Sequence, residues 1–139
     1  MLKEKNMRKL IILLVCMLVT FSWSCKKNND NSTPSIPVEG FWEGKYGSGT
    51  SVPQRYFAFK ILKDGELKVY ADGIDSASSG KAKGRYFYAD GKISGTYTYI
   101  NNATFSFAAE FYNNNKAIKG TYGVNANPTG GGTFELFKK

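Results

Sequence analysis

Hydrophobic and polar residues alternate over most of the chain from position 38 onward, and turn-forming residues interrupt the alternation at short intervals. Such alternation is typical of strands with one buried face, because successive side chains point to opposite sides of a sheet. It predicts eight strands, at 39–47, 54–62, 66–72, 81–88, 92–100, 104–112, 116–123 and 131–137. No segment has a sustained helical period that would supply a crossover helix, so the strands are expected to pair antiparallel.

The residues between these strands are those that tight turns require. Asp64-Gly65 and Asp90-Gly91 tolerate the positive φ of short hairpins. Asparagine runs at 101–102 and 113–115 serve the same purpose. Consecutive strands joined in this way form a meander.

One face of the predicted sheet is apolar and the other is charged. The apolar face collects Trp42, Tyr46, Phe57, Phe59, Ile61, Leu67, Val69, Tyr86, Tyr88, Ile93, Tyr97, Tyr99, Phe105, Phe107, Phe111, Ile118, Tyr122, Phe134 and Leu136. The opposite face holds Glu43, Lys45, Lys60, Lys68, Lys83, Arg85, Lys92, Glu110, Lys119 and Glu135. A single sheet covers its apolar face, and loses both edges, by closing on itself. We therefore predict an all-β domain at 38–139, an eight-stranded antiparallel up-and-down barrel.

Glycine recurs two residues before an aromatic residue of the inner face. The instances are Gly40-Phe-Trp42, Gly44-Lys-Tyr46, Gly84-Arg-Tyr86, Gly95-Thr-Tyr97, Gly120-Thr-Tyr122 and Gly132-Thr-Phe134. Small residues beside large rings suit the interior of a narrow barrel whose strands must bend. The second interpretation is that the rings bind a ligand, which makes Trp42, Tyr46, Tyr86, Tyr97 and Tyr122 candidate ligand-binding residues.

Gly40-Phe41-Trp42 on the first strand resembles the glycine-any-tryptophan opening of lipocalin and avidin-like barrels. The resemblance implies a meander barrel over residues 38–137 that can hold a small ligand at its mouth. Lipocalins also place an arginine near the last strand over the tryptophan, where this chain has Phe137-Lys138-Lys139. The three longest connections are 47–54, 72–80 and 123–131. Alternating strand direction puts all three at one end, the expected mouth.

The first 24 residues have the features of a secretory signal. A basic start precedes the apolar segment 10–21 (LIILLVCMLVTF), which is shorter than the roughly 20 residues that span a bilayer as a helix. Small residues Ser22 and Ser24 follow, and then Cys25. An ordinary cleaved signal and an uncleaved anchor are the alternatives, and a Cys16–Cys25 disulfide would lie within the signal itself.

This segment resembles the precursor of a bacterial lipoprotein. In that family the signal is removed before a cysteine that carries a diacylglyceryl group on its sulfur. The resemblance implies cleavage between Ser24 and Cys25 and lipidation of Cys25, although Ser22 stands where the family prefers leucine. Residues 25–37 are polar and contain two prolines, so they are predicted to form a flexible tether. The expected location is the cell envelope, on the outer membrane of a diderm bacterium.

Composition argues against catalysis and nucleic-acid binding. The chain has no histidine, which removes histidine bases, histidine metal ligands and triads. From Cys25 onward, 15 basic and 10 acidic residues leave a net charge of +5, and the lysines are scattered along the sequence as on a solvated surface. We expect no enzyme activity, no metal, no cofactor and no nucleic-acid partner. Asp75-Ser76-Ala77 matches a short O-glycosylation sequon, which makes Ser76 a low-specificity candidate.

The sequence thus leads to two functional hypotheses. The first is a lipid-anchored, non-catalytic module that binds a small apolar or glycan ligand at the barrel end. The second is a protein-interaction module, either an enzyme inhibitor or a component of an envelope complex. A hollow interior favours the first hypothesis, and a solid aromatic core favours the second.

A single substitution tests the predicted lipidation of Cys25. Cys25→Ala removes the only sulfur available for lipidation after cleavage, so we expect the variant to incorporate no fatty-acid analogue during metabolic labelling. Cys16→Ala is the matched control and should label like the natural chain. Persistent labelling of Cys25→Ala would contradict the assignment.

Overall fold

The computed structural model describes residues 38–139. Cys25, Ser24, the predicted signal at 1–24 and the predicted tether at 25–37 lie outside the described residues. Among the described residues, no helix is long and apolar enough to cross a membrane.

The described residues form a closed barrel of eight antiparallel strands in which each strand pairs with its neighbours in sequence. The strands are β1 (Gly40–Ser48), β2 (Arg55–Ile61), β3 (Glu66–Ala71), β4 (Lys81–Ala89), β5 (Lys92–Tyr99), β6 (Thr104–Tyr112), β7 (Ala117–Val124) and β8 (Gly132–Lys138). Each predicted boundary lies within one residue of the observed one. The predicted all-β, up-and-down barrel is confirmed.

Pairing of β1 with β8 closes the sheet. Seven residue pairs join the two strands, from Trp42 opposite Lys138 to Ser48 opposite Gly132. Because both sides of every strand are paired, the barrel has no open edge that could recruit another chain.

Turn residues adopt the conformations that their chemistry predicts. Asp90 (φ 51°) and Gly91 (φ 74°) both have positive φ in the β4–β5 hairpin, as a two-residue primed turn requires. Asp64 (φ 60°) and Gly65 (φ 76°) do the same between β2 and β3. Each polar side chain at these positions tolerates a left-handed backbone that a branched residue would resist.

The predicted apolar face forms the core. Trp42, Phe59, Phe107 and Phe134 are at most 1% exposed, and Ile61, Leu67, Ile93, Ile118 and Leu136 are equally buried. Interior glycines let the strands approach one another: a Cβ at Gly84 would collide with the carbonyl oxygen of Thr96. This close approach is the packing and curvature role predicted for the glycine–aromatic pattern.

The burial of each phenylalanine predicts how much its truncation destabilises the protein. Phe59 is fully buried, so Phe59→Ala should lower the free energy of unfolding by about 3–5 kcal/mol through lost burial and a residual cavity. Phe87 points outward and is 69% exposed, and Phe87→Ala should change stability by no more than about 0.5 kcal/mol. Urea denaturation of both variants measures the difference. Similar losses in the two variants would contradict the assigned faces.

Candidate functional site

Four connections meet at one end of the barrel, which we call the mouth. They join β1 to β2, β3 to β4, β5 to β6 and β7 to β8. The three long loops singled out in the sequence are therefore at the same end, as alternating strand direction requires. The short β5–β6 turn, which the sequence did not suggest, is the fourth member of the mouth.

The mouth contains a cavity of about 480 Å³. Each of the four connections, or the strand end beside it, contributes at least one residue to the lining of the cavity. The lining residues are Tyr46, Ser48, Phe57, Ala71, Asp72, Ser79, Gly80, Tyr97, Tyr99, Asn101, Ala103, Phe105, Tyr122 and Gly131. Six of the lining residues are aromatic, and Ser48, Asp72, Ser79 and Asn101 add hydroxyl, carboxylate and amide groups.

Tyr46 and Tyr122 form one side of the cavity. Their ring centroids are 5.9 Å apart in an edge-to-face arrangement, the geometry that aromatic pairs prefer. The Tyr122 hydroxyl can donate to the carbonyl oxygen of Gly47 at 3.3 Å and lies 3.4 Å from Oγ of Ser48. These contacts hold the ring of Tyr122 against the β1 end of the mouth.

Tyr97, Tyr99 and Phe105 form a second group of rings on β5 and β6, and Phe105 lies 6.3 Å from the Tyr122 ring. The rings of Tyr97 and Phe105 are stacked, with centroids 5.7 Å apart and an interplanar angle of 18°. Tyr99 meets both rings edge-on, at 5.7 Å and 5.8 Å. Burial raises the pKa of Tyr97 well above its usual range and raises the pKa of Tyr99 to about 12. Both phenols are therefore neutral hydrogen-bonding groups at physiological pH.

Below the cavity the interior is solid. The ring centroid of Phe59 lies 5.0 Å from that of Phe57, 4.9 Å from that of Phe107 and 5.4 Å from that of Phe134. Of these rings only Phe57 lines the cavity. Over residues 38–139, the barrel is thus filled through its middle and has a cavity at its mouth, so it has features of both interiors that the two hypotheses require.

An ion pair marks one edge of the mouth. The guanidinium group of Arg55 donates to both carboxylate oxygens of Asp72, at 2.9 and 3.0 Å. The same group lies 5.1 Å from the centroid of the Tyr46 ring. Burial raises the pKa of Tyr46, and the positive charge of Arg55 opposes that rise. Arg55 therefore links the β3–β4 loop to a ring of the cavity wall.

Two of the five predicted ligand-binding residues lie elsewhere. Trp42 is fully buried at the end opposite the mouth, where its indole N–H donates to the carbonyl oxygen of Val38 at 2.9 Å. The ammonium group of Lys138 sits 5.4 Å from the centroid of the indole ring. Tyr86 is at the same closed end, and its hydroxyl donates to the carbonyl oxygen of Leu62 at 3.0 Å. The structure brings Tyr46, Tyr97 and Tyr122 together without them.

The rim of the mouth is apolar. The exposed large aliphatic residues of the described chain are Val52, Ile74, Ile100 and Val124, with exposures of 72%, 48%, 69% and 58%. Each lies in, or next to, a different one of the four mouth connections. The sequence did not show that these four residues surround one opening, because they are separated by 22 to 26 positions along the chain.

Three outward-facing carboxylates and the candidate glycosylation site lie outside the lining of the mouth cavity. The carboxylates of Glu43, Glu110 and Glu135 are on the outer face, where they contact Lys139, Lys92 and the Tyr112 hydroxyl respectively. None of the three lines the mouth cavity. The Oγ atom of Ser76, the candidate glycosylation site, is buried and has no hydrogen-bond partner. A glycosyltransferase could not reach this atom without a movement of the loop.

Residues 38–139 contain no group of three histidine, cysteine, aspartate or glutamate side chains placed to hold a metal ion. Asp72, which the sequence places in a loop with Asp75, uses both its oxygens on Arg55. No protein-family model matches the chain, and a search of curated proteins finds no significant match.

Alkaline pH should destabilise the mouth through its buried phenols. The folded protein holds the Tyr99 proton up to a pKa of about 12, whereas the ordinary value is 10.0. Between these two pH values the folded state binds more protons than the unfolded state. The contribution of Tyr99 to the free energy of unfolding is therefore fully present below pH 10 and is lost as pH rises through 12. Tyr99→Phe should flatten the fall in melting temperature over this interval.

Melting temperatures of the natural chain and of Tyr99→Phe at pH 7 are the reference for this comparison and verify that the variant is folded. A Tyr99→Phe profile that superimposes on that of the natural chain would contradict the assigned burial of this hydroxyl.

Proposed function

We propose that the barrel is a non-catalytic binding module for a small ligand at its mouth, carried by a lipid-anchored protein of the cell envelope. The observation that carries the proposal is the cavity of about 480 Å³ lined by Tyr46, Tyr97, Tyr99 and Tyr122. Pockets for small ligands typically measure about 300–1,000 Å³ and combine apolar walls with a few placed polar groups.

The lining suits a ligand with an apolar face and several hydroxyl groups. Aromatic rings offer flat apolar area, and they lose little conformational freedom when they pack against a ligand. Neutral tyrosine hydroxyls both donate and accept hydrogen bonds, and Asn101 adds an amide beside them. A sugar ring has this combination of an apolar C–H face and hydroxyl edges. A short glycan is therefore the ligand class that we favour over a purely apolar molecule.

The ring of aliphatic residues at the rim supports a site at this end. The opening is surrounded by Val52, Ile74, Ile100 and Val124. Covering these apolar side chains with a ligand or partner lowers the free energy of the system. The four connections contain only two charged residues, Asp72 and Asp75, so the cost of desolvating charge on binding is small.

The described chain begins at the closed end of the barrel. Val38 enters the barrel beside Trp42, at the end opposite the mouth. A nine-residue strand such as β1 rises about 3.3 Å per residue and tilts in a barrel, so it separates the two ends by roughly 20–25 Å. The mouth is therefore at the end of the described domain far from residue 38, the position at which the predicted tether would join it.

The resemblance to lipocalin and avidin-like barrels supports the same function. Gly40-Phe41-Trp42 opens β1, and the strand number and meander order agree with those families. Lys138 on the last strand puts its positive charge over Trp42, where lipocalins use arginine. Fold likeness alone does not identify a ligand, so the glycan proposal rests on the mouth.

A second function is favoured by the filled interior. Because the core is solid below Phe57, the apolar rim could itself be the contact surface for a protein, as in an enzyme inhibitor or an envelope complex. Exposed aliphatic groups around an opening are a common feature of such surfaces.

A variant that fills the cavity distinguishes ligand binding in the mouth from protein binding at the rim. Ala103 lines the cavity, and Ala103→Trp should fill it while the rim residues remain. The full chain, purified from the cells that produce it, should carry a small co-purifying mass in native mass spectrometry. Ala103→Trp should lose that mass. Thr96→Trp, an exposed position in the middle of β5, should retain it, and near-ultraviolet circular dichroism checks that both variants fold.

Retention of the adduct by folded Ala103→Trp would refute binding at the mouth. A co-purifying protein that survives Ala103→Trp, with no small adduct in the natural chain, would instead establish the second function.

A further inference from the structure

Three lysines lie side by side across neighbouring strands on the outer wall of the barrel. Lys60 of β2 is directly opposite Lys68 of β3, and Lys68 is directly opposite Lys83 of β4. Directly opposed side chains on adjacent strands start about 4.5–5.5 Å apart at Cβ, and like charges there repel. We call these three residues the lysine row. They are 8 and 15 positions apart in the chain, so only the strand register makes them a cluster.

The rest of the outer wall is arranged differently. Lys92 is opposite Glu110 and forms an ion pair with it at 3.3 Å. Glu135 stands between Lys119 and Lys45 on the two adjacent strands. Complementary charges are thus the pattern of this sheet. Among residues 38–139, no carboxylate lies within 4.0 Å of an ammonium group of the lysine row.

A groove accompanies the lysine row. It has a volume of about 460 Å³ and is lined by Lys68, Lys81 and Lys83 together with Tyr70, Thr98 and Ile100. Tyr70 is opposite Lys81 across the β3–β4 pair, and both residues line the groove. The ring of Phe41 packs against Tyr70 with centroids 6.3 Å apart and holds it in place. The groove therefore combines positive charge with a flat apolar surface.

We propose that this outer groove binds an anionic polysaccharide strand. Carboxylate or sulfate groups would accept charge-assisted hydrogen bonds from Lys68, Lys81 and Lys83 and offset their mutual repulsion. The C–H face of a sugar ring would pack on Tyr70. The groove opens on the outside of the barrel, and Tyr99 contributes to both the groove and the mouth cavity. The proposed polysaccharide site does not depend on the ligand proposed for the mouth.

The shape of the site favours a polymer strand over a membrane. A planar lipid surface contacts what protrudes from a protein, whereas Tyr70 and Thr98 line a recess in the wall. Single-stranded nucleic acid usually needs several rings on which successive bases stack. Here the lining contains two rings, Tyr70 of β3 and Tyr99 of β5, with β4 between them, which do not form a row for successive bases.

A comparison of two double variants with the same loss of charge tests the site. Lys68→Gln with Lys83→Gln removes two charges from the groove. Lys63→Gln with Lys116→Gln removes two charges from turns outside it. Binding of the full chain to polygalacturonate is measured at low ionic strength, with dextran as the neutral polymer. We expect affinity for polygalacturonate to fall about tenfold in the groove variant only, as expected for the loss of two charge-assisted contacts.

A third variant tests the aromatic contact. Tyr70→Ala keeps the net charge and should also weaken binding to polygalacturonate, whereas dextran should not bind measurably. Added salt should weaken binding, because exposed charges are screened. Melting temperatures without polymer verify that each variant is folded.

Equal losses in the two double variants would show diffuse attraction by net charge and overturn the proposal. The proposal also fails if polygalacturonate does not bind the natural chain. It fails equally if vesicles containing phosphatidylglycerol, or a single-stranded oligonucleotide, bind more tightly and depend on the same lysines. Loss of the small adduct at the mouth in Ala103→Trp, with unchanged polygalacturonate binding, would show that the two sites are independent.

Discussion

Pairing between β1 and β8 is the constraint on which the structure depends. It turns a one-sided sheet into a closed barrel and gives every inward side chain a shared interior. Eight strands enclose a space that side chains can just fill, and here aromatic rings fill it. Interior glycines such as Gly84 follow from the same closure, because the strands must bend and approach one another around large rings. Without the β1–β8 pair, the apolar face would be open to water and both edges would be unpaired.

Closure also divides the barrel into two unlike ends. At one end Val38, Trp42 and Lys138 form a plug in which the indole has a hydrogen bond and a cation above its ring. At the other end the rings stop short of the opening, and the hydroxyls of Tyr46, Tyr97, Tyr99 and Tyr122 share a cavity with polar loop residues. One continuous aromatic core therefore provides stability in its lower part and a binding surface in its upper part. The outer wall carries the charged residues, and it meets the mouth at Arg55 and Tyr99.

The sequence predicted the strands and their faces well, because both depend on local properties. Alternation with a period of two assigned Phe59 and Phe107 to the core, and Asp-Gly and asparagine turns located the hairpins. The candidate site was predicted only in part. Alternation tells which face a residue occupies but not its height along the barrel axis. Tyr46, Tyr97 and Tyr122 are near the mouth, whereas Trp42 and Tyr86 share their face and lie at the far end.

For the same reason, the sequence did not predict which residues of different strands lie next to one another. Tyr99 and Phe105 had been assigned to the core face, and only their position near a mouth turn makes them part of the cavity. The lysine row was interpreted as scattered surface charge, because register between strands is a property of the folded sheet. Conversely, a simple count of strand directions placed the three long loops correctly, since direction alternates whatever the register.

The order of the strands along the chain has a consequence for biosynthesis. β8 is the last strand to leave the ribosome, and β1 cannot acquire its second partner until Gly132–Lys138 has emerged. Nearly the whole domain therefore exists first as an open sheet with two free edges and no enclosed core. A polypeptide in that state is prone to aggregate, because its apolar face and both sheet edges are exposed. Closure by β8 thus postpones formation of the enclosed core until nearly the whole domain has been synthesised.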